Sequence, residues 1–179
     1  MKKLMTACLG SLLLASAGAQ AVGISAEAGN DYVGGGASIG LPFPGLSANA
    51  GWGHDNDNNN DAYTLGVDYG FSLGRAAVKA GVKGVYLQPD HGDDGYGLAV
   101  GGGVQFPLTS SFSLFGEGYY SPDAFTSHLD RYVEAKGGVR WQPLRPLSVD
   151  VGYRYITMGS SNDDRRIADG FYLGAGLSF

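Results

Sequence analysis

The chain has 179 residues, including 31 glycines, 7 prolines and one cysteine, and it carries 17 acidic against 12 basic residues. So much glycine without a collagen repeat disfavours long helices. The acidic balance argues against a nucleic-acid partner, which would need a basic face. The length suits a single domain.

The first 21 residues predict a secretory signal peptide. Two lysines and an apolar run over residues 4–15 are followed by "AQA", which fits a cleavage site. Cleavage after Ala21 would leave a mature domain of residues 22–179 with ten basic and 17 acidic residues. Cys8 leaves with the signal, so the mature domain cannot form the disulfides on which many small secreted domains depend.

Alternation of apolar and polar residues then recurs along the chain and predicts ten strands. They lie at residues 22–29, 32–41, 46–54, 62–72, 76–87, 96–106, 112–120, 132–141, 147–158 and 171–179. Most are near the ~9–11 residues that a tilted strand needs to cross a bilayer. The pattern predicts an all-β, closed antiparallel up-and-down transmembrane β-barrel. Eight strands, with residues 22–41 partly outside the wall, is the alternative.

The connections between these strands fall into two sets. The short ones carry no acid: "LPFPG", "SLGR", "PLTSS" and "QPLRP". The others are acidic and mostly longer: "HDNDNNND", "QPDHGDDG", "SPDAFTSHLD" and "GSSNDDRRIADG". Short turns at one end and longer loops at the other are typical of periplasmic turns and extracellular loops.

One face of the predicted strands is apolar, and the other carries every strand charge. The charged residues are Glu27, Asp68, Lys79, Lys83, Glu117, Glu134, Lys136, Arg140, Asp150 and Arg154. The set contains five acids and five bases, so a lumen lined by it would be neutral. A buried charge without a partner is costly, and we therefore expect these groups to form an ion-pair network.

Alternation alone does not say which face points outward, because a soluble barrel would bury the apolar face. Aromatic residues at both strand ends favour the membrane barrel, since they match two membrane interfaces. Those at the short-turn end are Phe71, Phe106, Phe112, Trp141 and Phe179, and those at the acidic-loop end are Trp52, Tyr63, Tyr86, Tyr96, Tyr120, Tyr155 and Phe171. The charged face is also rich in glycine, which leaves room for long side chains inside a narrow barrel.

The predicted function is that of a non-enzymatic outer-membrane protein, either structural or a narrow pore. Ten long charged side chains would largely fill a ten-stranded barrel, which argues against a wide porin. A passive channel for ions or small solutes through a thin path between them is the alternative.

The acidic loops hold all three histidines, each near an aspartate, and loops at one end of a barrel converge. A weak divalent-cation site is one interpretation, with candidate ligands His54, Asp55, Asp57, Asp61, His91, Asp93, His128 and Asp130. "DNDNNND" fits four ligand positions of an EF-hand loop but lacks its glycine and its final glutamate. A hydrolase at the extracellular rim, as in the omptin proteases, is a further interpretation. The simplest is that polar residues occupy solvated loops. We expect no catalytic residues, no cofactor and no confident metal site.

Five longer stretches are together specific: "GISAEAGNDY", "KGVYLQPDHGDDGYGLAVGGGVQFP", "LFGEGYYSPD", "RPLSVDVGYRY" and "ADGFYLGAGLSF". They resemble the YfaZ family of small outer-membrane proteins of Gram-negative bacteria. The resemblance covers essentially the whole mature chain. It implies an outer-membrane barrel but supplies no activity or catalytic residues.

The expected partners follow from an outer-membrane location. They are outer-membrane lipid and lipopolysaccharide, and the barrel-assembly machinery during biogenesis. The ending from Phe171 to Phe179 looks like the C-terminal strand signal that this machinery reads. We expect a monomer.

Overall fold

The computed structural model describes residues 21–57, 60–88, 95–122, 126–127, 131–160 and 163–179. Within these residues it contains eleven antiparallel strands, with no helix long and apolar enough to cross a membrane. The strands are β1 (Val22–Gly29), β2 (Tyr32–Gly40), β3 (Leu46–Asp55), β4 (Asn60–Leu73), β5 (Ala76–Gln88), β6 (Gly95–Pro107), β7 (Phe112–Ser121), β8 (Thr126–Ser127), β9 (Arg131–Leu144), β10 (Leu147–Ser160) and β11 (Asp163–Ser178).

Ten of the described strands form one closed wall. Each pairs with the next along the chain, except that β7 pairs with β9, and β1 pairs with β11 to complete the ring. The predicted ten-stranded antiparallel barrel is therefore confirmed. The eight-stranded alternative is wrong, because β1 pairs with β11 and β2 pairs with β3 along nearly their whole lengths.

Two segments that were predicted to be loops contain β-strand residues. The two-residue β8 lies within the predicted loop "SPDAFTSHLD" and pairs with Tyr96 and Gly97 of β6. The last strand begins at Asp163 rather than Phe171, so much of "GSSNDDRRIADG" lies in the hairpin of β10 and β11. The pairing of β10 with β11 shifts register between Ile156 and Thr157 and then continues to Ser160 and Asp163. The sequence did not predict this extension of the hairpin, because polar residues interrupt the alternation there.

The apolar face points outward. Leu65, Leu173 and Val100 have 69%, 60% and 53% of their surface exposed, although each is large and hydrophobic. A soluble barrel would bury these side chains, so this exposure contradicts the soluble alternative and fits a wall that faces lipid.

The aromatic residues form a band at each end of this outer face. At the long-loop end the rings of Tyr63 and Tyr86 lie 6.4 Å apart on neighbouring strands. At the short-turn end the rings of Phe112 and Trp141 stack at 6.3 Å. Aromatic bands of this kind lie at the two membrane–water interfaces, so the apolar belt between them marks the hydrocarbon layer.

Two of the short turns depend on glycine. Gly45, before β3, and Gly74, before β5, have φ angles of +82° and +62°, a region that other residues rarely adopt. These turns reverse the chain within a few residues and keep the short-turn end compact.

Candidate functional site

The ten predicted lumenal charges all take part in ion pairs inside the barrel. Several of these pairs join strands that are not neighbours in the wall. Lys83 of β5 meets Glu134 of β9 at 2.6 Å, and Lys136 of β9 meets Glu27 of β1 at 2.6 Å. Side chains from non-adjacent strands can touch only through the interior, so these charges lie in the lumen.

A central cluster contains Glu27, Lys83, Glu134, Lys136 and Arg154. One oxygen of Glu134 accepts from Lys83, and the other accepts from Arg154 at 2.8 Å. Arg154 also pairs with Glu27, which connects both carboxylates through one guanidinium. The five side chains are between 8% and 19% exposed. This cluster is largely dry, and each of its charges has an opposite partner.

A second group lies nearer the short-turn end. Lys79 pairs with Glu117 at 3.0 Å and lies 4.0 Å from Asp68. Arg140 binds Asp150 through two hydrogen bonds, both of 2.7 Å, the paired geometry that guanidinium and carboxylate favour. Lys79, Glu117 and Arg140 are 36%, 33% and 31% exposed, well above the central cluster. Water therefore reaches these groups more easily.

The sequence analysis missed the aromatic residues of the lumen. Tyr119 lies under the ammonium of Lys83, with 3.6 Å from the nitrogen to the ring centre. Similar contacts place Lys136 over Tyr172, Arg140 over Phe115 and Arg154 over Tyr32. A cation over an aromatic face is stabilised by the ring quadrupole, more so away from water. The signal was present, because these rings lie on the same alternating face as the charges.

Three further polar contacts fix the carboxylates of the network. Tyr132 donates to Glu134 at 2.7 Å, and Tyr119 donates to Asp68 at 2.8 Å. Asn49 also donates to Asp68, at 2.9 Å. Asp68 is only 6% exposed and therefore depends on these donors rather than on water.

An apolar layer begins beside the central cluster, where Ala99 is opposite Lys83 and Ile156 is opposite Glu134, and continues toward the long-loop end. Its aliphatic members are Ala62, Val85, Leu87, Ala99, Ile156, Ile167 and Ala168, each at most 7% exposed. Tyr32, Tyr119 and Tyr132 join this layer to the charged cluster below it. Such residues inside a membrane barrel were not expected, because the sequence analysis assigned apolar side chains to the outer face.

One small cavity borders the network. It has a volume of about 10 Å³ and is lined in part by Tyr32, Arg154 and Tyr172. Arg154 Nε and the Tyr172 hydroxyl are buried and have no hydrogen-bond partner within the described residues. A space of this size is near the minimum for one water molecule, which would satisfy such groups.

Of the candidate cation ligands that it describes, the structure brings His54 and Asp61 together and places Asp55 on the opposite side of the wall. His54 and Asp61 are cross-strand neighbours on the outer face, 3.1 Å apart, and Trp52 also donates to Asp61. Asp55 faces inward and is 2% exposed, and its carboxylate accepts the backbone N–H of Asp57. The alternating acids therefore diverge to two sides of the wall.

No group of three metal-ligating side chains occurs in the part of the chain that the structure describes. His91, Asp93, His128 and Asp130 lie outside the described residues. Whether the three histidines meet above the barrel stays a prediction. Phe171 and Phe179, the proposed assembly signal, lie on the outer face and are 71% and 70% exposed.

A closed barrel with a lipid-facing apolar belt and an ion-paired lumen defines the class of outer-membrane β-barrel proteins. Its sequence relatives agree with this class. The family model described as YfaZ precursor matches residues 1–179. The chain is also 42% identical over 181 residues to outer membrane protein YfaZ of Escherichia coli strain K12, with all of both chains covered. The chain belongs to the YfaZ family. The word precursor implies a signal peptide, while cleavage after Ala21 stays a prediction.

Two solved structures resemble the fold at low sequence identity. A bacterial polysaccharide outer membrane secretin gives a TM-score of 0.53 with 12% identity, covering 83% of this chain and 57% of that one. The chain thus spans a little over half of the secretin structure. A KdgM porin in complex with disordered oligogalacturonate gives a TM-score of 0.51 with 9% identity, covering 89% of this chain and 99% of that one. At such identities the likeness shows the fold alone.

Proposed function

We propose that the protein is a non-enzymatic structural component of the outer membrane, with a lumen that is closed to solutes. The observation that carries this proposal is the central cluster. Lys83 and Glu134 join β5 to β9, and Lys136 and Glu27 join β9 to β1, so paired side chains bridge the lumen in two directions. The apolar layer above them adds aliphatic side chains that are each at most 7% exposed, which leaves little open space at that level.

Conductance in planar bilayers tests the closed lumen. The folded protein should insert and give no steps above the baseline at either polarity, because permeation would have to break buried ion pairs. Steady unitary conductance in the unmodified protein would contradict the proposal. Resistance to unfolding in SDS without boiling must be shown in parallel. A lack of conductance is then not mistaken for a lack of folded protein.

A narrow channel is the second candidate, and the exposure of the outer ion pairs favours it. Lys79, Glu117 and Arg140 are each about one-third accessible, so the short-turn half of the lumen is hydrated. A channel would require the side chains of the central cluster and of the apolar layer to move apart and open a path through the lumen. Conductance that appears in the unmodified protein only at high applied voltage, or that appears only in a Glu134 variant, would support this candidate.

The non-enzymatic part of the proposal rests on where the described histidine lies. His54 is held by Asp61 on the outer face beside Trp52, away from the lumenal polar groups. A rim hydrolase would need the loop histidines to assemble. A fluorogenic peptide and a phospholipid substrate should both stay intact, and activity that disappears when His54, His91 and His128 are replaced together would overturn this expectation.

A further inference from the structure

Each of the four short turns exposes one large apolar side chain. Phe43, Leu73, Leu108 and Leu144 are 70%, 68%, 49% and 70% exposed. Single exposed apolar residues are ordinary on a protein surface. Their recurrence in every short turn, at the end of a lipid-facing wall, instead indicates that the turns contact the membrane.

The outer apolar face continues into these turns. Leu73 follows Phe71 of the aromatic band on the same alternating face of β4. Leu144 is the cross-strand neighbour of Leu147, with which the outward row of β10 begins. The apolar surface therefore extends past the aromatic band to the level of the lipid headgroups.

The same turns carry two arginines and no acid, and all four turns lie within the described residues. Arg75 is separated from Leu73 only by Gly74, and Arg145 directly follows Leu144. Both arginines are exposed, and neither has an ion pair or a hydrogen bond within the described residues. Each short hairpin therefore presents a free guanidinium beside an exposed leucine.

The other charges near this end of the barrel already have partners. Inside the lumen Asp68, Glu117 and Asp150 are all held by donors of the network. The terminal residue Phe179 accepts from the nitrogen of Val22 at 3.0 Å, and cleavage at the predicted site would make that nitrogen a positively charged amine. The charges left for an external partner are the two arginines, which favour an anion.

We infer that the short-turn end binds the phosphate groups of anionic phospholipids in the periplasmic leaflet through Arg75 and Arg145. The short turns of outer-membrane barrels face the periplasm. A guanidinium can pair with phosphate through two parallel hydrogen bonds, and adjacent apolar surface adds to the affinity for a bilayer. The strands β6 and β7 separate the two hairpins, so each arginine holds its own headgroup. This inference goes beyond the proposed structural role, which makes no demand on lipid charge.

The two tryptophans of the chain provide reporters at opposite ends of the barrel. Trp141 lies on β9 just before the turn that contains Arg145, and Trp52 lies at the long-loop end of β3. In lipid vesicles, Trp52→Phe leaves Trp141 as the fluorophore, and Trp141→Phe leaves Trp52. Quenching by brominated phosphatidylglycerol, compared with brominated phosphatidylcholine, measures the preference of each end for anionic lipid.

Trp141 should report a preference for phosphatidylglycerol of about fivefold at low salt, which corresponds to ~1 kcal/mol for one basic residue near an anionic surface. Trp52 should report none. Arg145→Gln should abolish the preference at Trp141, and added salt should reduce it in the unmodified turn. Arg75→Gln is the matched control, because it removes the same charge from a different hairpin and should leave the preference at Trp141 in place.

Arg75 needs a reporter beside its own turn. Phe71→Trp, in a chain with both natural tryptophans replaced by phenylalanine, puts the fluorophore on β4 close to this turn. Arg75→Gln should then abolish the preference, and Arg145→Gln should not. Heat-dependent mobility in SDS checks that each variant is folded, and Trp141→Tyr replaces Trp141→Phe if the latter does not fold.

Several results would overturn the inference. They are equal quenching of Trp141 by the two lipids, an equal preference at Trp52, or a preference at Trp141 that persists in Arg145→Gln. Loss of the preference in both single arginine variants at one reporter would also count against it, since that would show attraction by net charge instead of two headgroup sites. None of these outcomes bears on conductance, so the lipid sites and the closed lumen fail separately.

Discussion

Lys83 of β5 and Glu134 of β9 are joined across the barrel, with 2.6 Å between ammonium and carboxylate. Two wall strands, β6 and β7, separate the strands that carry them. Glu134 also accepts from Arg154 and Tyr132, so one carboxylate serves three donors. The barrel is therefore cross-braced through its lumen as well as hydrogen-bonded around its wall.

Replacing Glu134 by alanine should destabilise the folded barrel by about 3–5 kcal/mol, because Lys83 and Arg154 would both lose a buried partner. Urea titration in lipid vesicles, followed by tryptophan fluorescence, measures the change. Glu117→Ala is the matched control, since Glu117 is 33% exposed and its partner Lys79 can be solvated. Equal losses for the two variants would show that the central cluster is not the dominant brace.

The apolar layer gives a second prediction. Ile156 is 3% exposed inside the lumen, so Ile156→Ala should cost about 2–5 kcal/mol and Ile156→Val about 0.5–1.5 kcal/mol. The same unfolding titration provides the measurement. A graded loss would support a packed layer at the long-loop end. If Ile156→Ala leaves the midpoint unchanged, this end of the lumen is open to water.

Much of the wall could be predicted from the sequence, because a membrane barrel enforces strict alternation wherever one face meets lipid. β5 shows this, because the outward Val78, Ala80 and Val82 alternate with inward residues that include Lys79 and Lys83. The last hairpin was predicted less well. Asp163 to Asp169 lie where the alternation is broken by a register shift and by the polar character of residues at the membrane edge.

The sequence predicted which charged residues line the lumen but not which of them pair with one another. Charges on one face imply pairing, yet the partner of Lys136 is Glu27, 109 residues away, and only the closure of the barrel brings them together. The inward tyrosines and the apolar layer were missed for a different reason. Side chains such as Tyr172 and Leu87 are also common facing lipid, so residue type does not reveal their direction, and only their position in the alternation does.

The outward direction of the apolar face gives a third prediction. Val67 is 41% exposed near the middle of β4, so Val67→Arg should destabilise the barrel in vesicles by about 2–4 kcal/mol. Phe71→Arg, nearer the short-turn interface, should cost only about 0–1 kcal/mol for the charge, in addition to the lost aromatic contact. The refolding yield and the urea midpoint measure the loss of stability in both variants. Similar tolerance at both depths would contradict a lipid-facing belt centred on Val67.

On β5, the lumen-facing Gly81 should be far less tolerant of an added side chain than the lipid-facing Gly84. A methyl group at Gly81 would collide with the carboxylate of Asp68 and would lie 2.5 Å from the backbone oxygen of Val67. At Gly84 the nearest atom would be 3.8 Å away, an ordinary contact. Gly81→Ala should therefore cost about 1–3 kcal/mol through overpacking, with Gly84→Ala close to neutral.

The urea midpoint of each glycine variant in vesicles measures this difference, and both changes add the same atoms to the same strand. Gly81→Ala should also displace Asp68 from Tyr119 and Asn49, so the additional variant Asp68→Ala should recover part of the loss by removing the clashing carboxylate. Such recovery would separate crowding in the lumen from a change in strand propensity. A Gly84→Ala loss as large as that of Gly81→Ala would place the crowded face on the outside and contradict the assignment of the two faces.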